Sequence, residues 1–569
     1  MKNPLAEKIV IYLIKNPPIC ANDIAVAERM FFRAHPKLAH NISNSDLLEA
    51  YHNLTRKNKI KQNANLERLL IKRPVRTLSG VAVVTVLTEP FPCPGECIYC
   101  PNEKIMPKSY ISDEPAAARA LALKFDPFEQ VARRIETLEK NGHPTDKIEL
   151  IVKGGTWNAY PLDYQYWFIL RCFTACDAKN QKSKTKNQNY NSKTKISILK
   201  KQLNIAQQKN ESAKHRIIGL TLETRPDFVN EETIIQMREL GCTRIELGVQ
   251  TIDDKILKLI KRGHDAKETV RAVKLLKNYG FKVDFHLMPQ LPGSTPSKDL
   301  AMMKKIFENP DYRPDMIKIY PCAVVKNSKL YKMLKKNEYK PYTNKKLIEV
   351  LKKFKTTVPR YVRISRLIRD IPSQHIMAGN KITNLRQIIQ MEMEKEGTKC
   401  RCLRCREIGH QKNKSKVKSQ KSKMRLFVEK YKASGGMEYF LSFCARGESA
   451  LGEEPGTVYA FCRLRIMSLR EGVSNMPTKQ SHKKQNNNYN YQAFIRELHT
   501  YGQLLEIGEK EKKASQHKGL GRKLMEKAEE ICQKKGVKKI AVISGVGVRG
   551  YYRKLGYRLE NGYMVKKVN

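Results

Sequence analysis

Between residues 81 and 321 the chain repeats one rhythm, a strand-length apolar run followed by a stretch with apolar residues at helical spacing. Strands are predicted over 81–88, 148–153, 217–223, 244–250, 282–288 and 316–320, with helical patterns such as 128–140, 233–241 and 268–280 between them. The last two of these helices stop at Gly241 and Gly280, residues suited to the left-handed turn that ends a helix. Six strand–helix units in series predict an α/β domain with a parallel sheet or an incomplete barrel, with its chemistry at the C-terminal ends of the strands. Ahead of it, helical spacing over 5–14, 21–32 and 45–57 predicts a small helical region. Beyond 424 the pattern predicts strands over 438–445, 457–466, 493–507 and 539–544, with a glycine loop and a helix to Lys535 between the last two. The chain therefore divides into 1–75, 76–321, a linker over 322–424, and 425–569.

Charge adds a partner. The 569 residues carry 108 Lys and Arg against 56 Asp and Glu, a formal net charge of +52. Such an excess favours a polyanion through counterion release, although Lys and Asn enrichment also reflects compositional bias in three polar inserts. These inserts, 179–214, 411–423 and 474–490, are read as mobile loops. The basic N-terminal helices, closing on Lys72-Arg73-Pro74-Val75-Arg76, are either a solvated surface or a nucleic-acid grip. Their apolar run from Ile9 to Ile14, flanked by Lys8 and Lys15, is too short to span a bilayer, so no membrane role is expected. The 14 cysteines are clustered rather than spread as a disulfide framework, which points to a reducing cytoplasm.

The densest chemistry is Cys93-Pro94-Gly95-Glu96-Cys97-Ile98-Tyr99-Cys100, directly after the first strand. Three thiolates in a CxxxCxxC loop can hold an iron–sulfur cluster while leaving one iron without a protein ligand. A zinc knuckle would want a fourth ligand nearby, and 101–120 contain no cysteine or histidine. Other candidates stand at the ends of successive strands: Gly154 and Gly155, Glu223, Gln250, and His286 within the fifth. A second cysteine group, Cys400, Cys402 and Cys405, includes a CxxC pair that is half a zinc site; Cys322 and His375 complete a tetrahedron if the fold gathers them, and reduced thiols on a capping turn are the alternative. Near the C-terminus, Gln516-His517-Lys518-Gly519-Leu520-Gly521-Arg522 opens a helix, and backbone N–H groups at a helix N-terminus cradle phosphate. Tyr551 and Tyr552 follow on a short helix, as core packing or as a general acid.

The cysteine loop resembles the radical S-adenosylmethionine (SAM) superfamily, and the QxxGxGR loop resembles the coenzyme A pyrophosphate loop of GNAT acetyltransferases. Both halves together are similar to one family, the Elongator catalytic subunit (Elongator protein 3). That resemblance also covers Arg76 to Val81, Asp146 to Glu149, Leu222 to Asp227, Lys318 to Pro321, Arg496 to His499 and Ser544 to Arg549. It implies a partial (β/α)6 radical SAM barrel followed by a GNAT domain, and a tRNA uridine acetyltransferase that builds a carboxymethyl group on C5 of the wobble uridine from acetyl-CoA and a SAM-derived 5′-deoxyadenosyl radical. It implies a [4Fe–4S] cluster on Cys93, Cys97 and Cys100, a SAM pocket at Gly154, Gly155, Glu223 and Gln250, and acetyl-CoA contacts at Lys147, Glu497, Leu498, His499, Thr500, Gln516, Gly519, Leu520 and Gly521. Glu497, His499 and Tyr551 or Tyr552 become the catalytic candidates. A structural zinc in prokaryotic members assigns Cys322, His375, Cys402 and Cys405 as its ligands, with Cys400 as rival. The implied partners are a tRNA anticodon stem-loop and the two small molecules, the chain working alone or as a homodimer. A protein lysine acetyltransferase is the alternative; it needs neither the cluster nor the charge.

Overall fold

The computed structural model describes residues 3–36, 42–72, 77, 79–177, 190, 194–410, 424–446, 454–467, 491–501 and 519–568. Seven strands, β1 (Ala82–Leu87), β2 (Lys147–Lys153), β3 (Arg216–Thr224), β4 (Arg244–Gln250), β5 (Lys282–Leu287), β6 (Met316–Ile319) and β7 (Arg363–Arg366), pair in parallel in chain order. In β2 the alternation is plain: Ile148, Leu150 and Val152 join the outer core, while Glu149, Ile151 and Lys153 line the concave side. The seventh strand carries the barrel past the predicted boundary at 321; with four residues, RISR, it offers too little apolar signal to be found by periodicity.

Helices α1 (Pro4–Lys15), α2 (Ala21–Ala34), α3 (Asn44–Arg56) and α4 (Ala64–Leu70) form a separate small core around Ile9, Leu13, Leu47, Tyr51 and Leu66. Ser43 and Asp46 close a capping box at the start of α3. This unit is tied to the barrel where His143 Nε2 donates to the Lys72 carbonyl at 2.9 Å. The predicted mobile insert over 179–214 is corrected in part, because Ile196–Asn210 is a helix, α5, that buries Leu199 and Leu203. Its polar composition hides an apolar i, i+4 stripe, and Asn210 accepts from the Ile217 N–H at 2.8 Å, fastening the helix to β3. The inserts over 411–423 and 474–490 lie outside the described residues.

The C-terminal sheet runs β8 (Arg425–Ala433), β9 (Gly436–Arg446), β10 (Pro455–Met467), β11 (Ala493–Thr500), β12 (Lys539–Val542), β14 (Tyr563–Lys567) and β13 (Arg558–Glu560) in spatial order. Only β11 and β12 pair in parallel. The predicted strand over 493–507 ends at Thr500, and 502–507 lie outside the described residues. One face of this sheet packs on α6 (Leu520–Lys534) through Leu524, Met525 and Ala528; the other shares a core with the barrel through Phe440, Phe461 and Phe494.

The docking surface is the N-terminal end of the barrel strands, opposite the cysteine loop. Gly545 approaches β3 so closely that a Cβ would strike the Ile218 carbonyl. Arg238 donates to the Ser544 carbonyl at 2.9 Å. A bulge in β11 turns Arg496 and Glu497 toward the barrel in succession. Arg496, 1% exposed, donates to Asp315 at 2.8 Å and to Glu438 at 3.0 Å. Glu497 accepts from Arg463 at 2.8 Å and lies 3.5 Å from Lys282. Burial alone would raise the Glu497 carboxyl, but Lys282 and Arg463 hold it down to about 2 against an ordinary 4.5. A folded pKa below the unfolded one gives stability that is complete above about 4.5 and lost as pH falls towards 2. Urea midpoints should therefore drop steeply between pH 5 and pH 3, two conditions that bracket the ordinary Glu value of about 4.3; equal midpoints would contradict the assignment.

Candidate functional site

The cysteine loop leaves β1 and is clamped on both sides: the Ile98 N–H donates to the Ile260 carbonyl at 3.1 Å, and the Ile98 carbonyl accepts from the Leu330 N–H at 2.8 Å. Cys97 is buried while Cys93 and Cys100 are partly exposed. The Arg262 guanidinium donates to the Cys97 sulfur at 3.3 Å. A hydrogen bond from the Cys100 thiol, together with Arg262, brings Cys97 down to about 4 despite its burial. A thiolate waiting in an electropositive pocket is the donor an iron cluster requires.

From this loop a cavity of about 630 Å³ follows the concave face of the barrel. Tyr99 and Pro101 line one end, and Ser79, Arg363 and Glu407 line the other. Three of the predicted SAM-pocket residues gather near the loop. Gly154 turns so tightly under Thr88 that a Cβ would strike its hydroxyl, with φ at +152°. Glu223 accepts from Tyr110 at 2.7 Å and sits 3.4 Å from Lys153. Burial raises its carboxyl, yet Lys153 and His286 keep it below its ordinary value, so it stays an anion. Gln250 ends β4 at φ +68°, a left-handed conformation beside a register shift, and lines the cavity. Strain of that kind concentrates at functional sites. Lys153, Tyr110 and Arg262 were not foreseen; for Lys153 the signal was an ion at an inward position of its strand, on the face it shares with Glu149.

At the other end, β11 and β12 pair only over Ala493–Ile495 with 540–542 and then part. α6 opens at Gly519, φ +69°, beside this fork. A Cβ on Gly521 would lie 2.9 Å from the Tyr551 hydroxyl and 3.6 Å from the Thr500 hydroxyl, so both side chains flank the loop. Tyr551 is 39% exposed, whereas Tyr552 is 6% exposed and packs edge-on to Tyr557 in the core. Leu520 and Leu498 also turn their side chains into or against that core. His499 points the other way, stacking on Phe461 at 5.8 Å and donating to the Ser79 carbonyl at 3.1 Å. Burial lowers its pKa below the ordinary histidine value, leaving a neutral ring at pH 7. Lys147, at the start of β2, pairs in register with Arg216, the residue against which Gly547 packs. Gln516 lies outside the described residues.

Residues 92–306 match the Radical SAM superfamily, 314–395 the Radical SAM C-terminal domain, and 512–557 the Acetyltransferase (GNAT) family. The chain is 45% identical over 508 residues to the tRNA uridine(34) acetyltransferase of Methanocaldococcus infernus, covering 88% of each. It is 35% identical over 506 residues to Elongator complex protein 3 of Homo sapiens, covering 87% of this chain and 85% of that one. The chain belongs to the Elongator protein 3 family. A solved structure of the archaeal Methanocaldococcus infernus Elp3 with an N-terminal deletion superposes with a TM-score of 0.67 at 41% identity, covering 86% of this chain and 99% of that one. With the family come a [4Fe–4S] cluster and SAM at the barrel and acetyl-CoA at the GNAT domain.

In this Elongator protein 3 relative the expected zinc set is corrected. Cys400, Cys402 and Cys405 lie with their sulfurs within 4.8 Å of one another. Cys322 instead belongs to the cluster of side chains behind the cysteine loop, its thiol near Tyr339. His375 is partly exposed and bonded to Asp113 at 2.6 Å. Cys322 follows the C-terminal end of β6, whereas Leu403, next to Cys402, donates to Val362 just before the N-terminal end of β7, so the length of the strands separates the two thiols. Glu497, saturated by Lys282 and Arg463, serves the domain junction and is not poised as a base.

No helix among the described residues is long and apolar enough to cross a membrane.

Proposed function

We propose that this chain is a tRNA uridine(34) acetyltransferase, as its M. infernus relative is named. The observation that carries the reading is the cavity lined at one end by Tyr99 and Pro101 of the cysteine loop and at the other by Ser79 and Glu407, which touch the GNAT sheet at His499 and Val458. When bound, the cluster with SAM supplies a carbon-centred radical and acetyl-CoA supplies the two-carbon unit. Cys93, Cys97 and Cys100 hold the cluster, with Arg262 balancing charge at Cys97. Gly154 and Gly155 let backbone approach SAM, and Glu223, fixed by Lys153 and Tyr110, offers an acceptor for its polar groups. Gly519 to Gly521 receive phosphate at the start of α6, and Thr500 and Tyr551 flank the thioester side of the fork. His499, neutral and facing the barrel, can accept a proton where the two sites meet. Incubating reconstituted protein with tRNA, SAM and acetyl-CoA tests this: mass analysis should show a two-carbon acid on the wobble uridine together with 5′-deoxyadenosine. Acetyl-lysine formation without 5′-deoxyadenosine would instead support a protein acetyltransferase.

The helical unit over 3–72 is proposed as a tRNA grip acting through phosphates. The supporting features are its cations and its attachment at Lys72 through His143; Arg73 and Arg76 lie outside the described residues. Removing 1–72 should weaken tRNA binding at low salt and flatten its salt dependence, measured by anisotropy. Unchanged binding would place the grip elsewhere.

Cys400, Cys402 and Cys405 are proposed as three ligands of a structural zinc, since zinc at about 2.3 Å from each sulfur sets tetrahedral thiolates about 3.8 Å apart. Hydrogen bonds from Cys400 and Cys405 hold Cys402 far below the ordinary thiol range, so a thiolate is already favoured. The site adjoins the domain junction, where the Leu403 N–H donates to Val362 at 2.8 Å and Arg406 to Pro455 at 3.0 Å. One zinc per chain is expected by metal analysis, with a lower melting temperature after chelation; iron alone in purified protein would refute it.

A further inference from the structure

At mid-depth of the barrel cavity stands a polar group with no employment in the site described above. Asp284 on β5 is 0% exposed, and neither of its carboxylate oxygens has a hydrogen-bond partner among the described residues. The hydroxyl of Ser365 on β7 is likewise buried and, among the described residues, without a partner. Both residues line the cavity, as does Lys318 on β6. Lys318 is 5% exposed and paired to Glu246 on β4. The β5–β6 register sets His286 beside Lys318 and Asp284 beside Met316, one step further from the cysteine loop. Burial drives the Asp284 carboxyl up to about 7, and the charge of Lys318 is the main force opposing that rise. Two unpaired carboxylate oxygens in a closed site are costly unless something with a donor occupies the space.

Their chemistry selects the occupant. A carboxylate oxygen accepts, and an ammonium only donates. Uracil presents an N3–H donor flanked by two carbonyl acceptors, whereas cytosine presents a bare N3 acceptor in that place. Chemistry on a base requires that it leave the stack and enter a pocket. We propose that Asp284 and Lys318 read the imide edge of the flipped wobble uracil, Asp284 accepting from N3–H and Lys318 donating to an adjacent carbonyl. Held by this edge, the ring leaves its C5–C6 side open toward the cavity between the cysteine loop and the GNAT sheet. The assignment rests on the tRNA uridine reading and adds the residues that choose the base.

Anticodon stem-loop substrates carrying uridine, cytidine or N3-methyluridine at position 34 test it, with product formation followed by mass and compared as kcat/KM. The wild-type chain should prefer uridine to N3-methyluridine and to cytidine by roughly ten- to a hundredfold, the worth of one well-placed base contact. Asp284→Asn can present either a donor or an acceptor, so its preference for uridine over cytidine should shrink to about threefold or less. A wild-type chain indifferent to N3-methylation, which needs no variant, would overturn the assignment, as would an Asp284→Asn chain that keeps the full uridine preference. A wild-type chain inert on every uridine substrate would overturn the function reading itself, and this assignment with it.

Discussion

Cys97→Ser is expected to abolish both the iron–sulfur absorbance of anaerobically reconstituted protein and its cleavage of SAM. Cys97 is the one buried thiol of the loop, and Cys100, Arg262 and Tyr99 around it favour a thiolate, with Arg262 at 3.3 Å. A serine hydroxyl is far less acidic and a harder donor, so it does not replace that ligand. The variant should keep its melting temperature without cluster, because the loop is held by backbone bonds at Ile98 rather than by the sulfur. Cys322→Ser provides the contrast: Cys322 packs in the same side-chain cluster, so it shares the surroundings without the ligand role. Full cluster content in Cys97→Ser, or its loss in Cys322→Ser alone, would reverse the ligand assignment.

Arg496→Leu is expected to be the most damaging single change at the domain junction. Arg496 bonds Asp315 and Glu438, which are 0% and 1% exposed, and removing it takes a cation from two buried carboxylates. Breaking a buried pair from one side costs about 3–5 kcal/mol, enough to unfold a marginal protein at ordinary temperature. Glu438 keeps Arg465 at 3.1 Å, whereas Asp315 keeps Arg463 at 3.8 Å and the Val283 N–H at 3.0 Å, so the larger share of the loss falls on Asp315. Adding Asp315→Leu should restore a substantial part of the stability, since replacing both partners by apolar groups is often neutral. Denaturant midpoints of the two single variants and the double variant decide this, and additive losses would show that the pair is not the source.

Sequence alone determined what short stretches of chain can determine. CxxxCxxC places three thiols within eight residues, so the chain between them leaves little choice but a shared cluster, and the six strands follow from apolar runs of strand length between helical patterns. The glycine loop and its helix are local in the same sense, because a helix N-terminus carries its unpaired N–H groups wherever it is placed. Tertiary structure alone decided which distant residues meet. Tyr551 and Tyr552 are neighbours in sequence, yet adjacent residues on a helix point about 100° apart, and only packing puts one into the core and the other beside Gly521. Cys322 was an expected zinc ligand and Cys400 only its set's rival, until the fold put Cys322 behind the cysteine loop, away from the sulfurs that Cys400 shares with Cys402 and Cys405. The bulge at Arg496, which turns two charges toward the barrel, depends on register with β10 and leaves no mark in composition. Asp284 and Lys318 come from different strands, and their charges are legible in the sequence only as polar exceptions within apolar runs. That those exceptions face one cavity is a consequence of parallel pairing and curvature, long-range properties that no local pattern encodes.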